Sequence, residues 1–232
     1  MGGGARMTSE ADFTRLLAEW RALAAPPRVD VGAWRRSLEK MRDEENALRK
    51  QGRWVHGRED VFGIIGIQRM EVLHSAILAW LLDPCARHGF GTAFLSRVLR
   101  AAFPTAAFKH LSAARIACEV TRADCRADIV ITMPDDTIIL ENKVDAQESD
   151  RQCDILFEHF RVEPGARFVF LCPTSRRPVS ATGEAEAAFV SLGYSDIRNA
   201  LVAALAKTDA DHARPGRLVA QNYLITLQKE FA

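Results

Sequence analysis

Residues 128–143 read Asp128-Ile-Val-Ile-Thr-Met-Pro-Asp-Asp-Thr-Ile-Ile-Leu-Glu141-Asn-Lys143. This pattern predicts two apolar strands joined by a polar turn at about residues 133–137. Residues two apart on a strand point to the same face, so Glu141 and Lys143 project together. Antiparallel pairing returns Asp128 to within about one residue of Lys143. We therefore expect two carboxylates and an ammonium group to meet at one end of a hairpin.

Such a cluster suits phosphodiester hydrolysis, because Mg²⁺ needs only one or two carboxylate ligands and makes water more acidic. Asp128 and Glu141 are the expected ligands, and Lys143 is expected to polarise water and stabilise charge on the phosphate. In the alternative interpretation, Glu141 and Lys143 are solvent-facing charges that protect an edge strand from aggregation. The strands are apolar on both faces, and unpaired buried charges are costly, so the site interpretation is favoured.

The hairpin resembles the metal-binding hairpin of the PD-(D/E)xK nuclease superfamily, which includes many restriction endonucleases. In that family an acidic residue on one strand and an (Asp/Glu)-x-Lys on the next carry phosphodiester hydrolysis. The literal Pro134-Asp135 pair falls in the turn, so we identify Asp128, preceded by Ala127, as the equivalent acid. The resemblance implies a Mg²⁺ or Mn²⁺ site formed by Asp128, Glu141 and the main-chain carbonyl of Asn142.

An upstream stretch resembles one bacterial and archaeal branch of the superfamily. Leu81-Leu82-Asp83-Pro84 followed by His88-Gly89-Phe90-Gly91 matches a helix end and a loop of that branch. In relatives a glutamate on this helix approaches the metal, and Glu71 is the matching position, which implies a further ligand. Gln152 stands where relatives carry a glutamine that contacts the site, whereas Leu156 replaces a tyrosine of their pattern. The resemblance extends from about Glu71 to the C-terminus.

Hydrophobic periodicity predicts helices and strands in an order typical of an α/β fold. Helices are expected at residues 9–24, 31–50, 69–82, 91–103, 146–160, 195–206 with Ser195 as N-cap, and 217–231. Strands are expected at residues 115–121, 127–133, 137–144, 168–172 and 188–192. We therefore predict a restriction-endonuclease-like mixed central β-sheet flanked by helices. An N-terminal helical extension of residues 1–62 would precede a nuclease-like domain of residues 63–232.

Composition narrows the class of protein. Of 232 residues, 48% are hydrophobic, which is ample for a core. No apolar run approaches the roughly 20 residues that a membrane-spanning helix needs, and no secretory signal is visible at the start. The five cysteines lack a Cys-x-x-Cys pair and are interpreted as reduced thiols of a cytoplasmic protein.

Charge is balanced overall, at a formal net charge of +1, but it is unevenly distributed. Residues 35–58 carry eight Lys or Arg against four Asp or Glu, and this segment could track phosphates or form a solvated helix face. Arg176-Arg177 follows a predicted strand and could likewise hold a phosphate or lie in a solvated loop.

The first functional hypothesis is a metal-dependent nuclease acting on DNA, with a role in anti-phage defence or DNA repair. The second is a binding or regulatory subunit that has the nuclease fold without its own activity, and a third retains the enzyme with RNA as substrate. The N-terminal 60 residues could bind DNA, pair with another copy of the chain or dock on a partner protein. Because cutting both strands of a duplex commonly needs two such sites, a homodimer is expected.

Overall fold

The computed structural model describes residues 10–24, 30–207 and 215–231. The chain divides into two compact units, Met1–His56 and Gly57–Ala232. The division precedes the boundary expected after residue 62. Asp60 belongs to the larger unit because it is fully buried there, bonded to Arg58 and to the hydroxyl of Thr226. None of the helices in the described ranges is long and apolar enough to cross a membrane.

The smaller unit contains two described helices, α1 (Glu10–Ala24) and α2 (Val31–Lys50). Asp30 directly precedes α2 as its N-cap, and its carboxylate accepts the N–H of Ala33. No residue of α2 is buried within the described chain, so its apolar side chains remain in contact with solvent.

The larger unit is built on a five-stranded mixed sheet. Its strands are β1 (Arg115–Arg122), β2 (Cys125–Thr132), β3 (Thr137–Asn142), β4 (Ala166–Cys172) and β5 (Phe189–Gly193), in the spatial order β1-β2-β3-β4-β5. The first three pair antiparallel, and β3, β4 and β5 pair parallel. The predicted α/β class with a mixed sheet flanked by helices is confirmed.

Helices cover both faces of this sheet. They are α3 (Val61–Ile64), α4 (Glu71–Leu82), α5 (Ala93–Ala102), α6 (Gln152–Phe160), α7 (Gly183–Ala188), α8 (Tyr194–Lys207) and α9 (Pro215–Glu230). One core includes α4, α5, α8 and α9 against residues such as Ile129 and Leu140. The other core packs α6 and α7 against the opposite face, around Ile139 and Phe168. The alternation along β3 therefore fills both cores, which explains why its sequence is almost continuously apolar.

Two local predictions were wrong, and two short helices were missed. The helix expected from residue 146 begins only at Gln152, because the preceding residues form a loop tied by hydrogen bonds to distant groups. Ser195 lies inside α8, and the carboxylate of Asp196 instead accepts the N–H of Gly193. The short helices α3 and α7 were not predicted, since neither is long enough to show a helical period.

Candidate active site

The hairpin places both predicted acids at one end of the sheet. Ile129 pairs with Leu140, and the same register continued by one residue sets Asp128 opposite Glu141. The main-chain N–H of Asn142 donates to Asp128 Oδ2 at 2.7 Å, which fixes the carboxylate beside the end of β3. The side chain of Asp128 thus lies across the hairpin from the Glu-x-Lys segment.

Glu141 is the most deeply buried charged group of the site, with a side chain 1% exposed. Lys143 Nζ lies 3.0 Å from Glu141 Oε1, and Gln152 Nε2 donates to the same oxygen at 2.5 Å. The other oxygen, Oε2, is buried and accepts no hydrogen bond from any described residue. A buried carboxylate oxygen without a donor is costly, so this atom is suited to coordinate a cation or to accept a hydrogen bond from water.

Burial and mutual repulsion perturb the two acids. Burial, reinforced by the charge of Asp128, raises the pKa of Glu141 to about 8. Burial likewise raises the pKa of Asp128 to about 6, against the opposing effects of the Asn142 N–H and Lys143. For Lys143 burial opposes the charged form, but the nearby carboxylates outweigh it and raise the pKa. Perturbed groups of this kind, gathered in a cleft, are typical of functional sites.

Glu71, in the first turn of α4, clamps the chain that leaves β3. Its Oε1 accepts the main-chain N–H groups of Val144 at 2.8 Å and Ala146 at 3.0 Å. Its Oε2 faces Lys143 Nζ at 3.8 Å. The predicted residue therefore reaches the site, with one carboxylate oxygen holding the loop and the other directed toward Lys143.

Gln152, the first residue of α6, connects the same loop to the acid pair. Its amide nitrogen donates to Glu141, and its side-chain oxygen accepts the N–H of Ser149 at 3.1 Å. Both ends of the amide are engaged, so the orientation of its nitrogen toward Glu141 is fixed by the chain itself.

Asn142 carries a hydrogen-bond network that sequence reasoning missed. Its side chain is fully buried, and its amide nitrogen donates to Ser75 Oγ at 3.1 Å and to the carbonyl of Glu71 at 3.3 Å. Tyr194 donates its hydroxyl to Asn142 Oδ1 at 2.8 Å. The only sequence signal was a polar side chain at the end of an apolar strand. These bonds attach the middle residue of Glu-x-Lys to α4 and α8.

Other polar residues noted in the sequence lie outside this cluster. His74 is buried, with Nε2 bonded to the carbonyl of Gln68 and Nδ1 to the hydroxyl of Tyr223, so it has a structural role. Arg176 pairs with the buried Glu148. Asp135 is exposed in the turn that Met133 N–H closes onto the carbonyl of Asp136.

The cluster lines a cleft of about 430 Å³, whose other walls include Val72, Asp124, Cys125, Arg126, Asp150, Ile155 and Leu156. Across the described ranges, no three His, Cys, Asp or Glu side chains are already grouped in a metal-binding arrangement. The residues present nevertheless fit a hard cation. Two carboxylates converge, one carboxylate oxygen lacks a donor, and Mg²⁺ completes its shell with water.

A comparison with protein families gave a match that covers most of the larger unit. A family model described as the PD-(D/E)XK nuclease superfamily matches residues 59–214. No curated protein and no solved structure matched the chain. The matched span contains β1 to β5 and every residue of the cluster described above.

Proposed function

Because this chain belongs to the PD-(D/E)XK nuclease superfamily, we propose that it is a divalent-metal-dependent nuclease that hydrolyses DNA. The observation that carries the proposal is the convergence of Asp128, Glu141 and Lys143 in one cleft, with Lys143 Nζ 3.0 Å from Glu141. A nuclease-fold binding subunit would have no need of two acids held at raised pKa values, which cost folding stability.

Asp128, Glu141 and the main-chain carbonyl of Asn142 are proposed to hold the metal, with Glu71 beside them. When bound, Mg²⁺ or Mn²⁺ supplies charge neutralisation at the phosphate and makes water more acidic. Lys143, held between Glu141 and Glu71, orients the attacking water and stabilises negative charge on the phosphate. Gln152 keeps Glu141 in position through its hydrogen bond to Oε1. RNA is the alternative substrate of the same site.

The cellular setting is a further part of the proposal. A nuclease of this kind would serve defence against phage or DNA repair. A cytoplasmic location is supported by the five cysteines, which are all free thiols, two of them exposed.

The nuclease proposal predicts that supercoiled plasmid is cut in the presence of Mg²⁺ or Mn²⁺ and is left intact in EDTA. Gel analysis of plasmid, single-stranded DNA and single-stranded RNA under the same conditions identifies the substrate. If only RNA is cut, the substrate of the site is RNA and not DNA. Absence of metal-dependent cutting of all three substrates, together with tight DNA binding, would favour the binding subunit instead.

The smaller unit supports a homodimer. On α2, Val31, Trp34, Leu38 and Met41 recur at alternating spacings of three and four, and each is more than half exposed. These are the a and d positions of a heptad pattern.

The charges beside this apolar face indicate how two copies of α2 would be oriented. The e positions are Arg35, Arg42 and Arg49, whereas Glu44 occupies a g position. In an antiparallel pair the e positions face one another, so these arginines would repel. In a parallel pair g positions face e positions, so Glu44 would face an arginine of the second copy. We therefore propose a parallel pairing of α2 with a second copy.

This pairing predicts that Leu38→Lys converts a dimer into a monomer. A charge at a core a position cannot be solvated in the paired helices, so we expect at least a tenfold increase in the dimer dissociation constant. Sedimentation equilibrium measures it. Asn46→Lys is the matched control, because it adds the same charge at an exposed b position. A monomeric wild type, or equal effects of both substitutions, would contradict the parallel dimer.

A further inference from the structure

The His88-Gly89-Phe90-Gly91 motif lies away from the catalytic cleft. His88 is buried, and its Nδ1 accepts the N–H of Phe90 at 3.0 Å, so the proton is on Nε2, which donates to the carbonyl of Asp83. Burial lowers the pKa of His88, which agrees with this neutral form. The imidazole thereby fixes the loop from α4 to α5 and places Phe90 at the edge of a second cavity.

That cavity has a volume of about 370 Å³ and a cationic lining. Its walls are Phe90, Thr92, Ala93, Ser96, Arg97, Arg100 and Lys207. Three of these seven residues are cationic, two carry hydroxyl groups and none is acidic. Arg97 is held by a bond from Nη1 to the carbonyl of Ala93, 3.2 Å long.

The three cations are not neutralised within the described chain. Arg97, Arg100 and Lys207 form no ion pair with a carboxylate in the described ranges of the chain. By contrast, Arg126, in the lining of the catalytic cleft, pairs with Glu119. Like charges gathered in a concave site repel one another and focus a positive potential, which favours an anionic ligand.

The cavity is remote from the catalytic cleft. The helix α4 leads from Glu71 at the cleft toward the motif loop, and its 12 residues rise by roughly 18 Å. Similarly, α8 starts at Tyr194, bonded to Asn142, and its 14 residues rise by roughly 20 Å to Lys207. A phosphate in this cavity would therefore not be the one that is cleaved.

We propose that this cavity binds a phosphate-bearing small molecule of nucleotide size. The volume lies in the range of about 300–1,000 Å³ that is usual for small-ligand sites. Three cations match the charge of a di- or triphosphate, and Arg binds phosphate oxygens in a bidentate manner. Thr92 and Ser96 add hydroxyl donors, while Phe90 and Ala93 provide an apolar wall for a base.

The test is calorimetric titration of the full chain with ADP and with pyrophosphate, in EDTA so that nuclease activity plays no part. We expect both to bind, and affinity for ADP to fall at least tenfold in the double variant Arg100→Gln with Lys207→Gln. The control double variant, Arg115→Gln with Arg161→Gln, removes the same charge from exposed residues elsewhere and should bind as the wild type does.

Two results would overturn the proposal: the absence of ADP binding at millimolar concentration, or ADP binding that the two double variants weaken equally. If ADP does not bind but the cavity variant weakens the binding of single-stranded DNA, these cations bind the backbone of the nucleic acid instead. Since all titrations are made without a divalent metal, they are independent of whether the protein cuts DNA.

Discussion

Replacing Lys143 by methionine should reduce metal-dependent DNA cleavage by roughly a thousandfold or more, the range for loss of a charged group in the transition state. Methionine retains an unbranched apolar stem but has no ammonium group to orient water. The substitution also leaves Glu141 without its partner at 3.0 Å, which raises the pKa of that carboxyl further and weakens its capacity to hold a metal. The measurement is the initial rate of plasmid nicking at saturating Mg²⁺.

A matched control is Lys109→Met, which removes an exposed lysine outside the cleft. Circular dichroism and the unfolding temperature would establish that both variants are folded. If Lys143→Met retained more than a tenth of the wild-type rate, Lys143 would have no direct part in catalysis. If cleavage were lost while DNA affinity was unchanged, the result would separate catalysis from binding at the same site.

The sequence contained enough information for the sheet and for the pairing of the two acids. Strand alternation and a short polar turn determine a register, and the register sets Asp128 opposite Glu141. The loop after β3 was predicted wrongly because residues 146–151 have a helical composition. Their conformation depends on the carboxylate of Glu71, which accepts the N–H of Ala146 from 75 positions earlier in the chain. A bond of that separation leaves no local signal.

The positioning of Asn142 was missed for a related reason. Its partners Ser75 and Tyr194 are 67 and 52 positions away, and each belongs to an element whose sequence also suits an ordinary core helix. Likewise, the buried Asp60 is bonded to Thr226 across 166 positions. Periodicity predicts elements and faces, whereas such polar contacts follow only once the helices have packed.

Asp128→Asn should stabilise the metal-free protein at pH 8 and abolish its response to Mn²⁺. The folded-state pKa values of Asp128 and Glu141, about 6 and about 8, lie above their ordinary values of 3.8 and 4.5. Between about pH 4 and pH 8 the folded state therefore binds more protons than the unfolded state, and the free energy of unfolding falls as pH rises. Asparagine retains an oxygen for the Asn142 N–H but removes the charge, which also lowers the pKa of Glu141.

In EDTA at pH 8 we expect the free energy of unfolding of the variant to exceed that of the wild type by roughly 2 kcal/mol. This follows from 1.36 kcal/mol per pKa unit, discounted for coupling between the acids. The gain should vanish near pH 3, below the ordinary pKa values of 3.8 and 4.5, where both acids are mostly protonated in the folded and in the unfolded state. Urea unfolding at several pH values measures it. Adding Mn²⁺ at pH 8 should stabilise the wild type but not the variant, because a ligand that binds the folded state alone raises the free energy of unfolding.

Asp135→Asn is the decisive comparison, since it removes the acid of the literal Pro-Asp pair, exposed in the turn. We expect it to retain wild-type stability across the pH range and the full response to Mn²⁺. If Asp135→Asn lost that response while Asp128→Asn retained it, the metal ligand would lie in the turn and the assignment of Asp128 would be wrong. Each variant loses one carboxylate of the same hairpin. Their contrast therefore tests whether the metal-binding acid is identified by its strand register, as Asp128 is, or by the Pro-Asp dipeptide.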